Sequence, residues 1–235
     1  MKNPHDGSFK DLAEDHPELL LRLLGILKPG TKTQIKDILR EIRLNPVEID
    51  HAYLVEDEDG QRVVHLEAVT RWHPERGGTL AVYFFALRQM KKLPVKSYLV
   101  FMAKKYAPVA MADRLIYEEP DGFRVEAPYI IVLLWELDPA IAFEPGNEQL
   151  LPWVPLMKGG AAEFERATEA IGKIAEGMDR TALEPRMLMN RLASLASLRY
   201  DKITIGKFLD KLEEKVMLTS EAFKVSWLYQ GGRQA

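Results

Sequence analysis

The 235-residue chain contains no cysteine. That excludes a disulfide framework, a thiolate zinc site, a cysteine nucleophile and an iron–sulfur cluster, and it fits a reducing cytoplasm. Long apolar runs are missing too. The longest, Tyr129-Ile130-Ile131-Val132-Leu133-Leu134-Trp135, is far short of the roughly 20 residues a membrane helix needs. The opening MKNPHDGSFKDLAEDH lacks the apolar centre of a signal peptide. A soluble, cytoplasmic protein with no membrane partner is expected. An excess of positive charge is also absent: the net charge is −3, which argues against a generic DNA-coating protein. No G-x-x-x-x-G-K-S/T, G-x-G-x-x-G or G-x-S-x-G occurs. The five histidines lack zinc-site spacing and read as surface or packed residues.

What is present is an ordinary globular composition, 47% hydrophobic and 29% charged, enough for one good-sized domain or a domain with an appendage. Charge is unevenly spread. From Arg76 to Ala112 there are cations (Arg76, Arg88, Lys91, Lys92, Lys96, Lys104, Lys105) and no carboxylate. The preceding segment is acidic. Chance accounts for such a split, and so does a cation site beside a polyanion site.

Periodicity predicts a short helix over Ser8–Glu14 and a second from Pro17 to about Leu27. A third is predicted over Thr31–Leu44, with Ile35, Ile38, Leu39 and Ile42 at helical spacing. Val47–Glu56 and Arg62–Arg71 read as strands joined by an Asp59-Gly60 turn. A helix follows over Thr79–Lys92 and a strand over Val95–Met102. Arg114–Glu118 and Phe123–Leu137 read as a second hairpin with a buried long arm. Beyond Asp138-Pro139 only helices are expected: Glu163–Glu176, Glu184–Leu198, Thr204–Leu218 and Ser220–Tyr229. The layout is an α/β core over 1–138 and a helical region over 139–235.

The first hairpin is the place that could carry chemistry. With Asp59-Gly60 as its turn, Ala52 faces Glu67 and Asp50 faces Val69, so Asp50 and Glu67 share a face as diagonal neighbours. Val47, Ile49, Tyr53 and Val55 opposite Val64, Leu66 and Ala68 form the core face. Asp50 and Glu67 then lie on the more polar face, with His65 and Arg71. Two hard oxygen ligands plus waters suit Mg²⁺, which can orient and acidify a water for phosphodiester hydrolysis. The competing reading is two solvated carboxylates on an exposed strand. Arg88, Lys91, Lys92 and Lys96 read either as a wet helix end favoured by the macrodipole or as a grip on a phosphate backbone.

Several segments resemble the Rpn family of recombination-promoting, transposase-associated nucleases, within the PD-(D/E)XK superfamily. They are Val63-Val64-His65-Leu66-Glu67, Trp72-His73-Pro74-Glu75, Tyr83 and Leu93-Pro94-Val95-Lys96-Ser97-Tyr98-Leu99. His5 to Leu12 is similar to the family's opening helix, and Leu150 to Gly159 to its Pro-Leu segment. Leu198-Arg199-Tyr200-Asp201 and Gly231-Gly232-Arg233 follow its ending, so the likeness spans nearly the whole chain. The resemblance implies a restriction-endonuclease-like core, a mixed sheet flanked by helices, and DNA cleavage dependent on Mg²⁺ or Mn²⁺. Asp50 and Glu67 match the family's acidic metal ligands. Val69 stands where the family usually has Lys or Gln, and valine cannot position or deprotonate a water. Arg71, Lys10, Arg88 or Lys91 could substitute, or the site is catalytically degenerate and the protein binds nucleic acid or forms homo-oligomers through its C-terminal helices.

Overall fold

The computed structural model describes residues 4–28, 32–37, 51–73, 75–108, 114–118, 124–176 and 183–216. Two compact units emerge, one within Phe9–Leu133 and one within Leu134–Ala235 together with Met1–Ser8. The first is an α/β unit built on a five-stranded mixed sheet flanked by helices.

Its elements run α1 (Pro4–Asp15, belonging here from Phe9), α2 (Pro17–Leu23), β1 (Gln34–Asp37), β2 (His51–Asp57), β3 (Gly60–Val69), α3 (Glu75–Lys91), β4 (Val95–Phe101), β5 (Arg114–Glu118), β6 (Arg124–Pro128) and β7 (Ile130–Leu133). The sheet order is β1-β2-β3-β4-β7; β1, β2 and β3 are antiparallel, and β4 runs parallel to both β3 and β7. A parallel neighbour cannot be reached by a tight turn, so the β3-to-β4 connection carries a helix, α3.

That crossover decides where the core lies. Tyr83, Phe84 and Leu87 of α3 pack on Ala52, Val63 and Val95, closing one sheet face. On the other face Tyr53 donates its hydroxyl to the Ala13 carbonyl of α1 at 2.9 Å, and Phe9 lies against His51 at 5.9 Å between centroids. Burial pushes the Tyr53 phenol upward. Residues 62–69 of β3 are accordingly buried along both faces.

Three expectations need correcting. Residues 34–37 form an edge strand paired to β2 rather than the start of a helix. Ile35 opposite Val55 gains a cross-strand partner, and ladder pairing outweighs a helical spacing whose other members, Ile38, Leu39 and Ile42, lie outside the described residues. The segment after residue 123 divides: β6 pairs with β5 in a hairpin, whereas β7 joins the main sheet beside β4. Pro128 ends β6 and separates the two. The helix after β3 begins at Glu75 rather than at Thr79 and takes in Gly77-Gly78.

The second unit is helical. Short 3₁₀ segments at Leu134–Glu136, Pro139–Phe143 and Glu148–Leu156 lead into α4 (Ala161–Glu176), α5 (Leu183–Ala196) and α6 (Lys202–Val216). Pro152 and Pro155 remove amide donors, which keeps Glu148–Leu156 out of regular α geometry. The segment still buries Leu150, Leu151, Trp153, Val154 and Leu156, and α4 and α5 pack on it. Arg199 donates to the Pro155 and Met157 carbonyls at 3.2 and 2.7 Å, supplying donors where the helical ladder stops. The Asp201 carboxylate accepts from the Thr204 amide at 2.7 Å and caps α6. The residues predicted as a helix over 220–229 lie outside those described. Among the described residues no helix is long and apolar enough to cross a membrane.

Candidate functional site

The β2–β3 hairpin closes one step earlier than the Asp-Gly signal suggests. Asp57 pairs with Gly60, leaving Glu58 and Asp59 as the turn. The cause is Asp57 itself. Its Oδ1 accepts from the Asp59 amide at 3.1 Å, and both oxygens take a bidentate grip from Arg62 at 2.8 Å. Arg62 holds the Asp57 carboxyl below the usual carboxylate range. Gly60, at φ +98°, takes the left-handed backbone the turn needs. Ala52 therefore faces His65, not Glu67. The shift is two residues in the pairing sum, and strand side chains alternate with period two, so which residues share a face does not change.

Alternation puts Val63, His65, Glu67 and Val69 on the face beneath α3, with Ser97 and Leu99 of β4 beside them. This face is not the solvated one. His65 is 0% exposed and Glu67 8%. Burying a carboxylate is costly unless it is hydrogen-bonded. His65 Nε2 lies 3.2 Å from Glu67 Oε1, and His65 Nδ1 lies 3.2 Å from the buried Ser97 hydroxyl. A carboxylate oxygen can only accept, so Nε2 carries the proton facing Glu67. The Ser97 hydroxyl can donate to Nδ1 in that tautomer, so one imidazole serves both contacts. Tyr83 and His65 pack perpendicular to each other, with centroids 5.4 Å apart and planes at 89°. Glu67 is thus a carboxylate whose one oxygen is oriented by an imidazole that is itself oriented by a hydroxyl.

The sequence paired His65 with Glu67 but missed Ser97. The signal was there in principle: Ser97 is a lone hydroxyl in an apolar strand. Only the parallel register, His65 opposite Ser97, makes it a neighbour.

The other expected site residues are distributed as follows. Asp50 lies outside the described residues. Lys10 is half-buried in α1. Val69, 0% exposed, ends β3 on the Glu67 face. Arg71 lies past the end of β3 with its guanidinium 4.9 Å from the centre of the Tyr106 ring. Arg88 and Lys91 occupy the last turn of α3; Lys92 follows it in the left-handed region at φ 54°. Lys96 pairs with Val64, one step into β4, on the face opposite Glu67. Because β3 and β4 are parallel, this basic group sits where the two strands begin, while Glu67 is two residues from where β3 ends. The structure therefore does not gather these four cations at Glu67. Among the described residues no group of three or more His, Asp or Glu side chains is arranged to hold a metal ion. Comparison of the chain with protein-family models, with curated proteins and with solved structures returns no match to any of them.

Proposed function

We propose that the sheet unit is a restriction-endonuclease-like core of the Rpn type that hydrolyses DNA phosphodiester bonds with Mg²⁺ or Mn²⁺. The observation that carries this reading is Glu67: a carboxylate buried in the central strand and oriented by His65, which is itself held by Ser97. An oriented carboxylate oxygen is the donor chemistry a small hard cation needs, and two such ligands with waters suffice for Mg²⁺. Asp50, which directly precedes His51 at the start of β2, is the second ligand in this proposal. When bound, the metal supplies an acidified, oriented water and neutralises charge on the phosphoryl oxygens. The chain's own contribution is to hold Glu67 still, exclude bulk water beneath α3 and meet phosphate with Arg71 past the end of β3; Lys10, expected from the sequence to share this task, belongs to α1 on the opposite face of the sheet.

Val69 favours a second reading. A buried valine two residues after Glu67 cannot assist a water, so the alternative is a degenerate member that binds nucleic acid without cutting it.

Cleavage of supercoiled plasmid with Mn²⁺ tests both. Glu67→Gln and Asp50→Asn should each lower the rate by about 10²-fold or more. Manganese titration calorimetry should show weakened binding in both variants. Val69→Lys should raise the rate if the ancestral water-handling group is what the site lacks. Metal affinity unchanged in Glu67→Gln would sink the metal site, and cleavage unchanged in both carboxylate variants would sink the mechanism.

A further inference from the structure

A second group of cations lies at the end of the sheet where β3 and β4 finish. Arg71 follows β3, and Lys104 and Lys105 follow β4 in the turn Lys104–Tyr106. Their side chains are exposed. Arg71 and Lys105 converge on one residue, with the Arg71 guanidinium 4.9 Å and the Lys105 ammonium 4.6 Å from the centre of the Tyr106 ring. The two loops are fixed to each other. The Trp72 amide donates to the Tyr106 carbonyl at 3.3 Å, the Met102 amide to the Val69 carbonyl at 2.9 Å, and Trp72 packs on Phe101 at 5.9 Å.

Several described cations of this unit have carboxylate partners, Arg22 with Glu18, Lys28 with Glu58 and Asp59, Arg62 with Asp57 and Arg114 with Glu126, whereas Arg88, Lys92 and Lys96 are unbridged among the described residues but do not converge on a common group. Arg71, Lys104 and Lys105 have no such bridge to a described carboxylate. Like charges drawn to one aromatic ring repel each other, and the quadrupole of the ring offsets only part of this. An anion is the missing counterpart. Lys105, and after it Arg71, also hold the Tyr106 phenol below its ordinary range. A field that favours an anionic oxygen there favours a phosphate oxygen equally well.

We propose that Arg71, Lys105 and Tyr106, with Lys104 beside them, form a phosphate-binding site that holds a backbone phosphodiester of a polynucleotide. Exposed side chains on two adjacent loops suit a phosphate that arrives on a long polymer better than a small anion enclosed in a cleft. Arg71 is four residues from Glu67, at most about 14 Å of extended chain, a span of a few nucleotides. The site rests on the nuclease reading for the nature of the polymer. It places the polymer's path over the ends of β3 and β4 rather than over the last turn of α3.

Fluorescence anisotropy with labelled single-stranded and duplex oligonucleotides, in EDTA and across a salt series, tests it. Arg71→Gln with Lys105→Gln should weaken binding about tenfold and make the salt dependence shallower by one to two units of log–log slope. Tyr106→Phe should weaken it by a smaller factor, and Lys91→Gln with Lys92→Gln should have less effect than the Arg71 and Lys105 pair. Inorganic phosphate should displace the oligonucleotide from the wild type more effectively than chloride of equal ionic strength, and the Arg71 and Lys105 double variant should lose that difference. Unchanged affinity and slope in the Arg71 and Lys105 double variant overturns the site; phosphate binding that the double variant loses, with no measurable oligonucleotide affinity in the wild type, overturns the polymer as its ligand. The two proposals fail separately. Plasmid cleavage with normal oligonucleotide affinity in the double variant removes this site and leaves the nuclease. Loss of affinity in a protein that never cleaves leaves the site and removes the nuclease.

Discussion

The two units bury different kinds of residue. Beneath its helices the sheet unit holds His51, Arg62, His65, Glu67 and Ser97. The helical unit packs Trp153, Phe164, Leu192 and Leu195, and the buried Thr168 satisfies its hydroxyl locally on the Phe164 carbonyl one turn back at 2.8 Å. A core assembled for stability alone has little reason to take in a carboxylate and two imidazoles, because each must find partners or cost free energy. The contrast is one of core chemistry: polar and titratable groups in the sheet unit, apolar and aromatic ones in the helical unit.

The sharpest way to break this contrast is on the apolar side. Trp153→Ala should destabilise the protein by about 4 kcal/mol, since it empties the largest buried side chain. Urea unfolding would show this as a shifted midpoint, and a loss below about 1 kcal/mol would mean that the site is not tightly packed.

A smaller loss is expected on the polar side. His65→Leu leaves Glu67 Oε1 and the Ser97 hydroxyl short of a partner and should cost about 3 kcal/mol. Adding Glu67→Leu and Ser97→Ala should recover roughly half of that, because removing every partner is cheaper than removing one. Full neutrality of His65→Leu would show that the chain contributes nothing to the fold.

A smaller effect again belongs to the hairpin clip. Asp57→Asn should cost about 1 kcal/mol near neutral pH. The sign of its pH dependence follows from the lowered carboxyl. The unfolded chain takes up the proton at a higher pH than the folded one, so the clip's contribution is present above the unfolded value. It fades as pH falls through the folded one. Thermal melts between neutral and acid pH should therefore converge for the wild type and Asp57→Asn. Lys28→Ala, which removes the exposed bridges to Glu58 and Asp59, should leave the melting temperature unchanged. A gap that widens in acid would reverse the assignment.

Much of the organisation could be read locally. Hydrophobic spacing and breakers located α4, α5 and α6 to within a few residues and placed β2, β3 and β4, because helix and strand periods are written in the chain itself. The Pro-Leu segment and Leu198-Arg199-Tyr200-Asp201, noted only as a likeness, have plain structural roles here: Arg199 ties the end of one to the other. The edge strand at 34–37 was missed because its pattern is too short to outvote a helical spacing.

For the site, alternation along β3 was enough to put His65 and Glu67 on one face, whichever turn residues closed the hairpin, since a register shift of two preserves the period. The sequence could not say that this face is buried. That depended on α3 crossing between two parallel strands and covering it. Nor could it show that Ser97 completes the chain to Glu67, or that the end of α3 and the Tyr106 cluster lie at opposite ends of β4. Neighbours along a strand are fixed by covalent geometry, whereas neighbours across strands depend on direction and register, which only the packing of the whole sheet selects.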